Sequence, residues 1–234
     1  RRAALYGRQC AERLGYDLAL RGITVVAGLA RGIDGAGHRG ALKAGGRTLA
    51  VLGSGLARLY PPDHLELAEQ VAHAGALVSE YPMETAPLPQ NFPRRNRLIS
   101  GLSLGVVVVE ASAKSGALIT ADQALEQGRE VFAVPGKVDS LTSEGTHQLL
   151  KQGAKLVTGV EDILEELRLS PVEAVSRGQT PSGEAKESGR GLTPFHATAE
   201  ERLMLAQLSA DEPRDIDELV ATTGLPASAC AATL

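Results

Sequence analysis

The sequence predicts an α/β protein with a doubly wound, mostly parallel sheet and a small α-helical region at its C-terminal end. Six short apolar runs, rich in β-branched residues, alternate over the first two thirds of the chain with amphipathic stretches of helical length. These runs are apolar throughout rather than at every second position, which is typical of strands buried on both faces. The pattern stops near residue 168, where the composition becomes polar.

Each apolar run is bounded by turn-forming residues, which predicts a strand. The predicted strands cover residues 23–28, 47–53, 75–80, 105–111, 129–136 and 154–158. The predicted connecting helices cover residues 8–21, 34–45, 62–74, 115–127 and 144–152. Strands joined by helices of this length form right-handed parallel units with helices on both faces, which is an extended Rossmann-like fold.

Composition divides the chain into three predicted parts. Residues 1–168 form the Rossmann-like domain. Residues 169–197 are rich in Pro, Gly, Ser and Glu, and we expect a flexible linker because such a segment cannot bury enough apolar surface to offset its ordering entropy. Residues 198–234 contain three short helical patterns separated by turns, typical of a winged-helix-like domain that ends within its third helix.

The formal net charge of −4 is unevenly distributed. Residues 1–160 contain 18 Lys and Arg against 14 Asp and Glu, whereas residues 161–234 contain 6 against 14. One interpretation is that two parts of the chain have different partners; the other is a neutral core domain followed by an acidic, solvating tail. The acidic C-terminal region favours contact with a protein, or masking of a basic site, over DNA binding.

Composition also excludes several classes of protein. Cys10 and Cys230 lie near opposite ends of the chain and form no CxxC pattern or Cys/His cluster, so we expect neither a disulfide scaffold nor a metal site, and a cytoplasmic location fits. The longest apolar runs, such as residues 105–111, are much shorter than the roughly 20 residues of a membrane span, and we expect none. No P-loop motif occurs, and GSGLAR at residues 53–58 is a weak dinucleotide fingerprint, so we expect no cofactor.

A glycine-rich turn follows the first predicted strand. Gly28 and Gly32 allow a tight turn with exposed backbone N–H groups, Arg31 lies between them, and a helix begins near Asp34. Because ligands of open α/β sheets bind at the carboxyl ends of the strands, and helix N-termini attract anions, we expect a phosphate site here. The alternative is an ordinary glycine turn with a surface arginine.

The most informative segment is QNFPRRNRLISGLS at residues 90–103. No acidic residue occurs between residues 85 and 109. Guanidinium groups bind phosphate, Phe offers a stacking face and an Asn amide can meet a base edge, which suits single-stranded nucleic acid. The candidate binding residues are Phe92, Arg94, Arg95, Asn96 and Arg97. The alternatives are a solvated basic helix start, or arginines that cap carbonyls inside the fold.

A second candidate anion site follows the fourth predicted strand. Lys114, Ser115 and Gly116 precede a predicted helix, whose N-terminus favours negative charge. The alternative is a plain helix cap.

No residues form a convincing catalytic set, and we expect a protein that is not an enzyme. His38, His64 and His147 have no evident nucleophile or acid partner in the pattern of the sequence. Glu80 and Glu110 follow strands and are weak candidates for acid–base chemistry.

Several motifs together are similar to those of one family. They are AGLARGIDGAGHRGAL, AVLGSG followed by YPPDH, SEYP, NFPRRNRLISGLS, VVEASAKSGALITADQALEQGREVFAVPG and SEGTHQLLKQGAKLV. Over about residues 1–158 and in this order, the chain resembles the DNA-processing protein A family (DprA, also called Smf). The C-terminal region resembles the winged-helix domain that many members have.

The resemblance implies a function and a site. It implies a homodimeric protein of natural transformation that binds incoming single-stranded DNA, protects it and helps to load the RecA recombinase, with no established turnover. It assigns DNA binding to Gly28, Arg31 and Gly32, to Phe92, Arg95, Asn96 and Arg97, and to Lys114, Ser115 and Gly116.

The chain departs from the family pattern at several positions. Members begin this domain with a strand and a GSR-type loop, whereas this chain opens at Arg1, so we expect the first strand to be missing. Ala4 replaces a usual Ser, and Pro89 stands where some members have a Lys, whose phosphate contact Arg94 would supply. The alternative function is a Rossmann-like nucleotide phosphoribohydrolase, although PGKVDSLTSEGTHQLL at residues 135–150 interrupts the loop that such enzymes need.

Overall fold

The structure is a computed structural model that describes residues 3–169. The helices are α1 (Leu5–Leu20), α2 (Ile33–Lys43), α3 (Leu65–Ala74), α4 (Asn91–Gly101), α5 (Gly116–Glu126), α6 (Glu144–Lys151) and α7 (Val160–Glu166), with a short 3₁₀ helix at Pro62–His64. The strands are β1 (Val25–Ala27), β2 (Thr48–Val51), β3 (Ala76–Val78), β4 (Gly105–Val108), β5 (Glu130–Ala133) and β6 (Lys155–Leu156). Each predicted strand is confirmed, with shorter bounds.

The strands form two parallel three-stranded sheets, in the orders β1-β2-β3 and β4-β5-β6. In the first sheet Val26 pairs with Leu49, and in the second Val107 pairs with Phe132. Helices connect successive strands throughout, so the predicted α/β class with parallel, Rossmann-like topology is confirmed. Because all the strands of each sheet run in one direction, the loops after them meet at a common carboxyl edge.

Helices cover both faces of the second sheet, which explains why its strands are apolar throughout. Phe132 and Val134 face a cluster that includes α1 side chains and Ile163 of α7. Val131 and Ala133 face the opposite cluster, formed with α5 and α6. A strand buried on both faces needs apolar residues at successive positions.

The first sheet packs against α3 and α2. Ala50 and Leu52 pack with Leu67 and Val71 of α3, and Leu29, which follows β1, is fully buried in the same cluster. This packing fixes the position of the loop after β1, because the residue next to the exposed turn is itself part of the core.

Helices α1 and α2 approach each other closely through glycines. A Cβ atom added to Gly40 would lie 2.0 Å from the backbone oxygen of Glu12, and one added to Gly15 would lie 2.4 Å from the oxygen of Gly37. These glycines are therefore required by contact between two helix backbones, rather than by a turn.

Helices α4 and α7 were not among the predicted helices. The sequence of α4 has Pro93 in its first turn and few apolar residues, so it lacks the period that identifies a buried helix. Pro is tolerated there because the first N–H groups of a helix have no partner within the helix. Helix α7 is only 7 residues long and is held by burial of Val160, Ile163 and Leu164.

The predicted linker and C-terminal helices, at residues 169–197 and 198–234, lie almost wholly outside the described residues. Within the described part of the chain, every helix is too short or too polar to cross a membrane.

Replacing Gly40 with Ala should destabilise the domain by about 1–3 kcal/mol, because the new methyl group would collide with the α1 backbone. Gly37 on the same helix is a matched control. A Cβ atom there would meet only Val25 Cγ1 at 3.8 Å, so Gly37→Ala should leave stability unchanged or raise it by up to about 1 kcal/mol. Urea unfolding measures both; equal effects would contradict the proposed close packing.

Candidate functional site

Three segments meet at the carboxyl edge of the first sheet. They are the loop at residues 28–32 after β1, the loop at residues 52–61 after β2, and the first turns of α4. Two glycines make this possible because α4 side chains occupy the space where a Cβ atom would be. A Cβ atom on Gly28 would lie 2.5 Å from Arg95 Nη2, and one on Gly53 would lie 2.7 Å from Phe92 Cδ1.

Arg95 lies at the centre of this arrangement and is only 5% exposed. Its Nη1 donates to the backbone oxygen of Gly28 at 3.1 Å and to that of Val51, and its Nε donates to Asn96 Oδ1 at 3.2 Å. Burial lowers the pKa of Arg95, and the nearby Asp34 carboxylate acts in the opposite direction.

Arg95 therefore shows the second of the two arrangements that the sequence left open, an arginine that caps carbonyls inside the fold. Its donors are directed at the ends of β1 and β2 and not at solvent. Asn96 holds this guanidinium in place. Direct contact of Arg95 with a phosphate stays a prediction, and it would require these donors to leave their internal partners.

The loop after β1 also differs from the expected anion cradle. The N–H groups of Gly28 and Ala30 donate to Asp34 Oδ2 at 3.0 and 3.2 Å, so these two amides already have an internal partner. Gly32, with φ at +94°, has the left-handed conformation that only glycine adopts easily, and it allows the chain to enter α2 directly after Arg31. The loop thus presents Arg31 rather than its amides.

The backbone of this loop is strained and held from two sides. Leu29 has a φ of +59° although it is not glycine, and its side chain is fully buried. Its carbonyl oxygen lies 2.9 Å from His64 Nδ1, which joins the loop to the segment after residue 60. The core and His64 together fix the position from which Arg31 extends.

Two aromatic rings lie between two arginines at the edge of the sheet. The Arg31 guanidinium carbon is 5.8 Å from the centre of the Tyr60 ring, the Tyr60 and Phe92 ring centres are 5.9 Å apart, and the Arg95 guanidinium carbon is 6.0 Å from the Phe92 ring centre. We refer to Arg31, Tyr60, Phe92 and Arg95 as the cation–aromatic row. It unites three motifs that are far apart in the sequence.

Two exposed arginines at this edge pair with carboxylates. Arg31 Nε donates to Asp63 Oδ2 at 2.8 Å, and Arg97 pairs with Glu80. Asp63, and then the Tyr60 hydroxyl, raise the pKa of Arg31, and Arg31 lowers the pKa of Asp63. Exposed ion pairs contribute little stability, so these arginines can exchange a carboxylate for another anion at small cost.

Arg94 and Lys114 are exposed. Lys114 lies just before α5, where Ser115 is the N-cap residue and accepts from Ala117 N at 3.3 Å. A Cβ atom on Gly116 would have open space around it. The structure thus shows the plain helix cap that the sequence left open, beside an exposed lysine.

Helix α5 lies alongside α4, which relates Lys114 to the cation–aromatic row. Gln123 Nε2 donates to the oxygen of Pro93 at 3.4 Å and Gln127 Nε2 donates to that of Arg97 at 3.1 Å. Residue numbers increase in the same direction along both helices at these contacts, so the two helices are parallel. The N-terminus of α5 therefore extends past that of α4. Lys114 and Arg94 therefore lie toward the same edge of the protein.

Sequence reasoning missed Tyr60, Asp63 and Gly53. The segment GSGLARLYPPDH is interpreted from the sequence only as a weak dinucleotide fingerprint and as part of a family resemblance, whereas its Tyr and Asp contact Arg31. The available signal was an aromatic residue followed by two prolines shortly after the glycines that end a strand. Their partner, Arg31, is 29 residues away from Tyr60 in the sequence, so periodicity gave no indication of contact.

The weak catalytic candidates have structural partners. Glu110 accepts from Ala4 N at 3.0 Å at the start of α1, and Glu80 pairs with Arg97. His147 Nε2 lies 3.1 Å from the oxygen of Gly136. Among the residues that the structure describes, no three His, Cys, Asp or Glu side chains group in a way that could hold a metal ion.

His38 of α2 is fully buried beside Val25 and Thr48, the first residues of β1 and β2. Thr48 Oγ1 donates to Val25 O at 2.8 Å, so the 2.7 Å contact between His38 Nδ1 and Thr48 Oγ1 has the ring nitrogen as donor. Burial lowers the pKa of the ring to about 4, so the ring is neutral near pH 7. This chain of hydrogen bonds joins α2 to β1 and β2.

The fold and the site define a class: a Rossmann-like α/β protein with cationic and aromatic side chains at the carboxyl edge of a parallel sheet. The chain belongs to the family described as DNA recombination-mediator protein A, whose family model matches residues 1–168. The DprA winged helix domain model matches residues 190–234. The predicted family and the winged-helix-like C-terminal domain are thus confirmed, whereas the predicted domain boundaries remain predictions.

Curated relatives are named Protein Smf or DNA processing protein DprA. Protein Smf of Escherichia coli (strain K12) is 55% identical over 164 residues, which are 70% of this chain and 44% of that protein. The DNA processing protein DprA of Bacillus subtilis (strain 168) is 49% identical over 167 residues, which are 71% of this chain and 56% of that protein. The chain spans about half the length of these relatives.

Two solved structures of DNA processing protein A are similar to this chain. The X-ray structure of the Streptococcus pneumoniae protein has a TM-score of 0.65 and 43% identity, and the match covers 70% of this chain and 57% of that one. The structure of the Helicobacter pylori protein, which concerns its single-stranded DNA binding mode, has a TM-score of 0.64 and 28% identity, with 70% and 75% covered.

Replacing Arg95 with Ala should lower the free energy of unfolding by about 2–4 kcal/mol, since it leaves the oxygens of Gly28 and Val51 without their buried donor. Arg94→Ala is the matched control, because the neighbouring arginine is exposed and should change stability by less than about 0.5 kcal/mol. Urea unfolding distinguishes the two. Similar small effects for both variants would contradict the structural role of Arg95.

Protonation of His38 should destabilise the domain in acid. The folded pKa is about 4 and the ordinary value is 6.5, so between these pH values the unfolded chain binds a proton that the folded chain does not. The contribution of neutral His38 to the free energy of unfolding is fully present above about pH 6.5, and it decreases by about 3 kcal/mol by pH 4. His38→Gln removes this titration but keeps all others. As pH falls from 6.5 to 4, the parent should lose about 3 kcal/mol of unfolding free energy relative to His38→Gln. A difference between the two proteins that does not change with pH would contradict this prediction.

Proposed function

We propose that this chain binds single-stranded DNA at the cation–aromatic row and acts as a recombination mediator in natural transformation. The observation that supports this most is the position of Arg31, exposed between a carboxylate partner and an aromatic ring at the carboxyl edge of the sheet. In this proposal the protein protects incoming DNA and helps to load the RecA recombinase. It is a binding protein with no catalytic turnover.

The side chains have different roles in the proposed complex. Arg31 and Arg97 bind phosphates, with Arg94 and Lys114 extending the cationic path. Phe92, which is half-buried, stacks a base. Arg95 and Asn96 do not touch the DNA in this proposal; they are positioning residues that hold α4 against the ends of β1 and β2. Gly28 and Gly32 shape the loop, and Ser115 and Gly116 form the start of α5.

Phosphate binding would proceed by exchange of partners. Asp63 and Glu80 occupy Arg31 and Arg97 in the free protein, and both ion pairs are exposed. An exposed ion pair is worth only about 0–1 kcal/mol, whereas a charge-assisted hydrogen bond to phosphate is among the stronger polar contacts. The exchange is therefore favourable when several phosphates bind together.

The proposed site favours single strands over duplex DNA. An aromatic ring stacks a base only when that base is unstacked from its neighbours, and the bases of a duplex are not free in this way. In the cation–aromatic row, each ring lies beside an arginine, so a base and a phosphate can bind next to each other. We therefore expect weak binding of duplex DNA at moderate salt.

The proposed partners follow from the family. Solved structures from two bacteria are of DNA processing protein A, and that of Helicobacter pylori concerns single-stranded DNA. The family description, a DNA recombination mediator, supports delivery of the strand to a recombinase. A homodimer would place two sites on one strand and increase the overall affinity through effective concentration.

Replacing Arg31 with Ala should weaken binding of oligo(dT) by about 10- to 100-fold at moderate salt, because one charge-assisted phosphate contact is lost. The slope of log K against log salt should decrease by up to about 0.7. Fluorescence anisotropy at several salt concentrations measures both quantities.

Lys151→Ala is the matched control. Lys151 is exposed at the end of α6, which leads back to the opposite edge of the sheet before β6. Lys151→Ala removes one positive charge, as Arg31→Ala does, and should alter the affinity for oligo(dT) by less than about twofold. If Arg31→Ala binds as tightly as Lys151→Ala, Arg31 is not a phosphate ligand and the proposed site is wrong.

A further inference from the structure

We infer that Tyr60 is a second base-stacking residue, so that the site holds two successive bases on two rings. This inference rests on the proposed function, since it assigns a further residue to the same DNA site. Tyr60 is 42% exposed and lies between Arg31 and Phe92 in the cation–aromatic row.

The geometry of the two rings favours a bent strand. The Tyr60 and Phe92 ring centres lie 5.9 Å apart and their planes are inclined at 47°. Bases stacked on inclined rings cannot form one continuous stack, so the strand must turn between them. An unpaired strand can make this turn, whereas stacked duplex DNA cannot without losing its base pairs.

The Tyr60 ring is held on a fixed loop, which lowers the entropy cost of binding. The backbone N–H of Gly55 donates to Thr85 O at 2.9 Å, and that of Ala57 donates to Met83 O at 3.0 Å. The oxygen of Pro61 accepts from His64 N at 3.0 Å. The first two bonds fasten the loop to residues 83–85, and the third closes the turn directly after the ring.

Arg31 couples the ring to a phosphate. Its guanidinium carbon is 5.8 Å from the Tyr60 ring centre, and Asp63, three residues after Tyr60, holds the same guanidinium. A nucleotide bound here would place its phosphate on Arg31 and its base on the adjacent ring. Stacking and phosphate binding would thus act on the same nucleotide.

A purely supporting role makes a different demand on the side chain. If Tyr60 only positioned Arg31, its hydroxyl would be the important atom, because that hydroxyl contributes to the raised pKa of Arg31. If Tyr60 stacks a base, its ring is important and its hydroxyl is not. Tyr60→Phe keeps the ring, and Tyr60→Leu removes it while keeping an apolar side chain.

Binding is measured with the full 234-residue chain, by anisotropy of labelled oligo(dT) and of an oligonucleotide of equal length with abasic residues in place of the central thymidines. Tyr60→Leu should bind oligo(dT) about 5- to 100-fold more weakly than the parent, the range expected for one stacked base. Tyr60→Phe should stay within about twofold. On the abasic strand the parent and Tyr60→Leu should bind equally, because only phosphates remain.

Intrinsic fluorescence gives a second readout that does not depend on how well Tyr60→Leu folds. The chain has no Trp and 4 Tyr, so its emission comes from tyrosine. Oligo(dT) should quench the parent, and Tyr60→Phe should lose this quenching while retaining affinity. Tyr16→Phe is the matched control, since Tyr16 lies on α1 and is 39% exposed. It should lose emission but keep the quenching.

The outcomes separate this inference from the proposed function. If the parent does not bind oligo(dT), the proposed function fails. If the parent binds but Tyr60→Leu binds equally well, or if quenching persists in Tyr60→Phe, the assignment of Tyr60 is overturned while the phosphate site stands. A loss in Tyr60→Phe as large as in Tyr60→Leu would assign the hydroxyl a positioning role and would also overturn stacking.

Discussion

The rest of the site depends on one buried guanidinium. Arg95 donates to the carbonyl oxygens at the ends of β1 and β2, which would otherwise face the interior without partners. The nearby Asp34 carboxylate offsets its charge and also accepts from amides of the loop after β1. Helix α4 is thereby fixed over two strands, and Phe92 and Arg97 are fixed with it. Without the hydrogen bonds of Arg95, nothing comparable would fix α4 against the loops that follow β1 and β2.

Neighbouring residues of one basic motif thus do different work because a helix turns by about 100° per residue. Arg94 and Arg97 are exposed, whereas Arg95 is buried and directed at the sheet. Composition alone treats the three arginines as equivalent. The division into one positioning arginine and two available arginines explains how a short segment can both anchor a helix and present positive charge.

The fold was predictable because burial on both faces leaves a direct mark on composition: strands such as β4 and β5 are apolar at successive positions. Helix α4 left no such mark, since its buried contacts are polar. For the candidate site, the sequence predicted a location, the carboxyl edge near Arg31, and that location stays a prediction. The orientation of Arg95 and the contact of Tyr60 with Arg31 depend on tertiary distances between distant segments, which neither spacing nor residue type determines.

The carboxylates of the site affect which anions can bind. Asp63 and Glu80 each occupy an arginine, so a lone phosphate must displace one carboxylate to gain one contact and obtains little net free energy. In the proposed complex, a polynucleotide would make the same exchange at several arginines in a single binding event, and the later exchanges would not repeat the entropy cost of association. The small gain at each arginine then adds along the strand. In the proposed complex, paired arginines would therefore gain little from a small anion and more from a chain of phosphates.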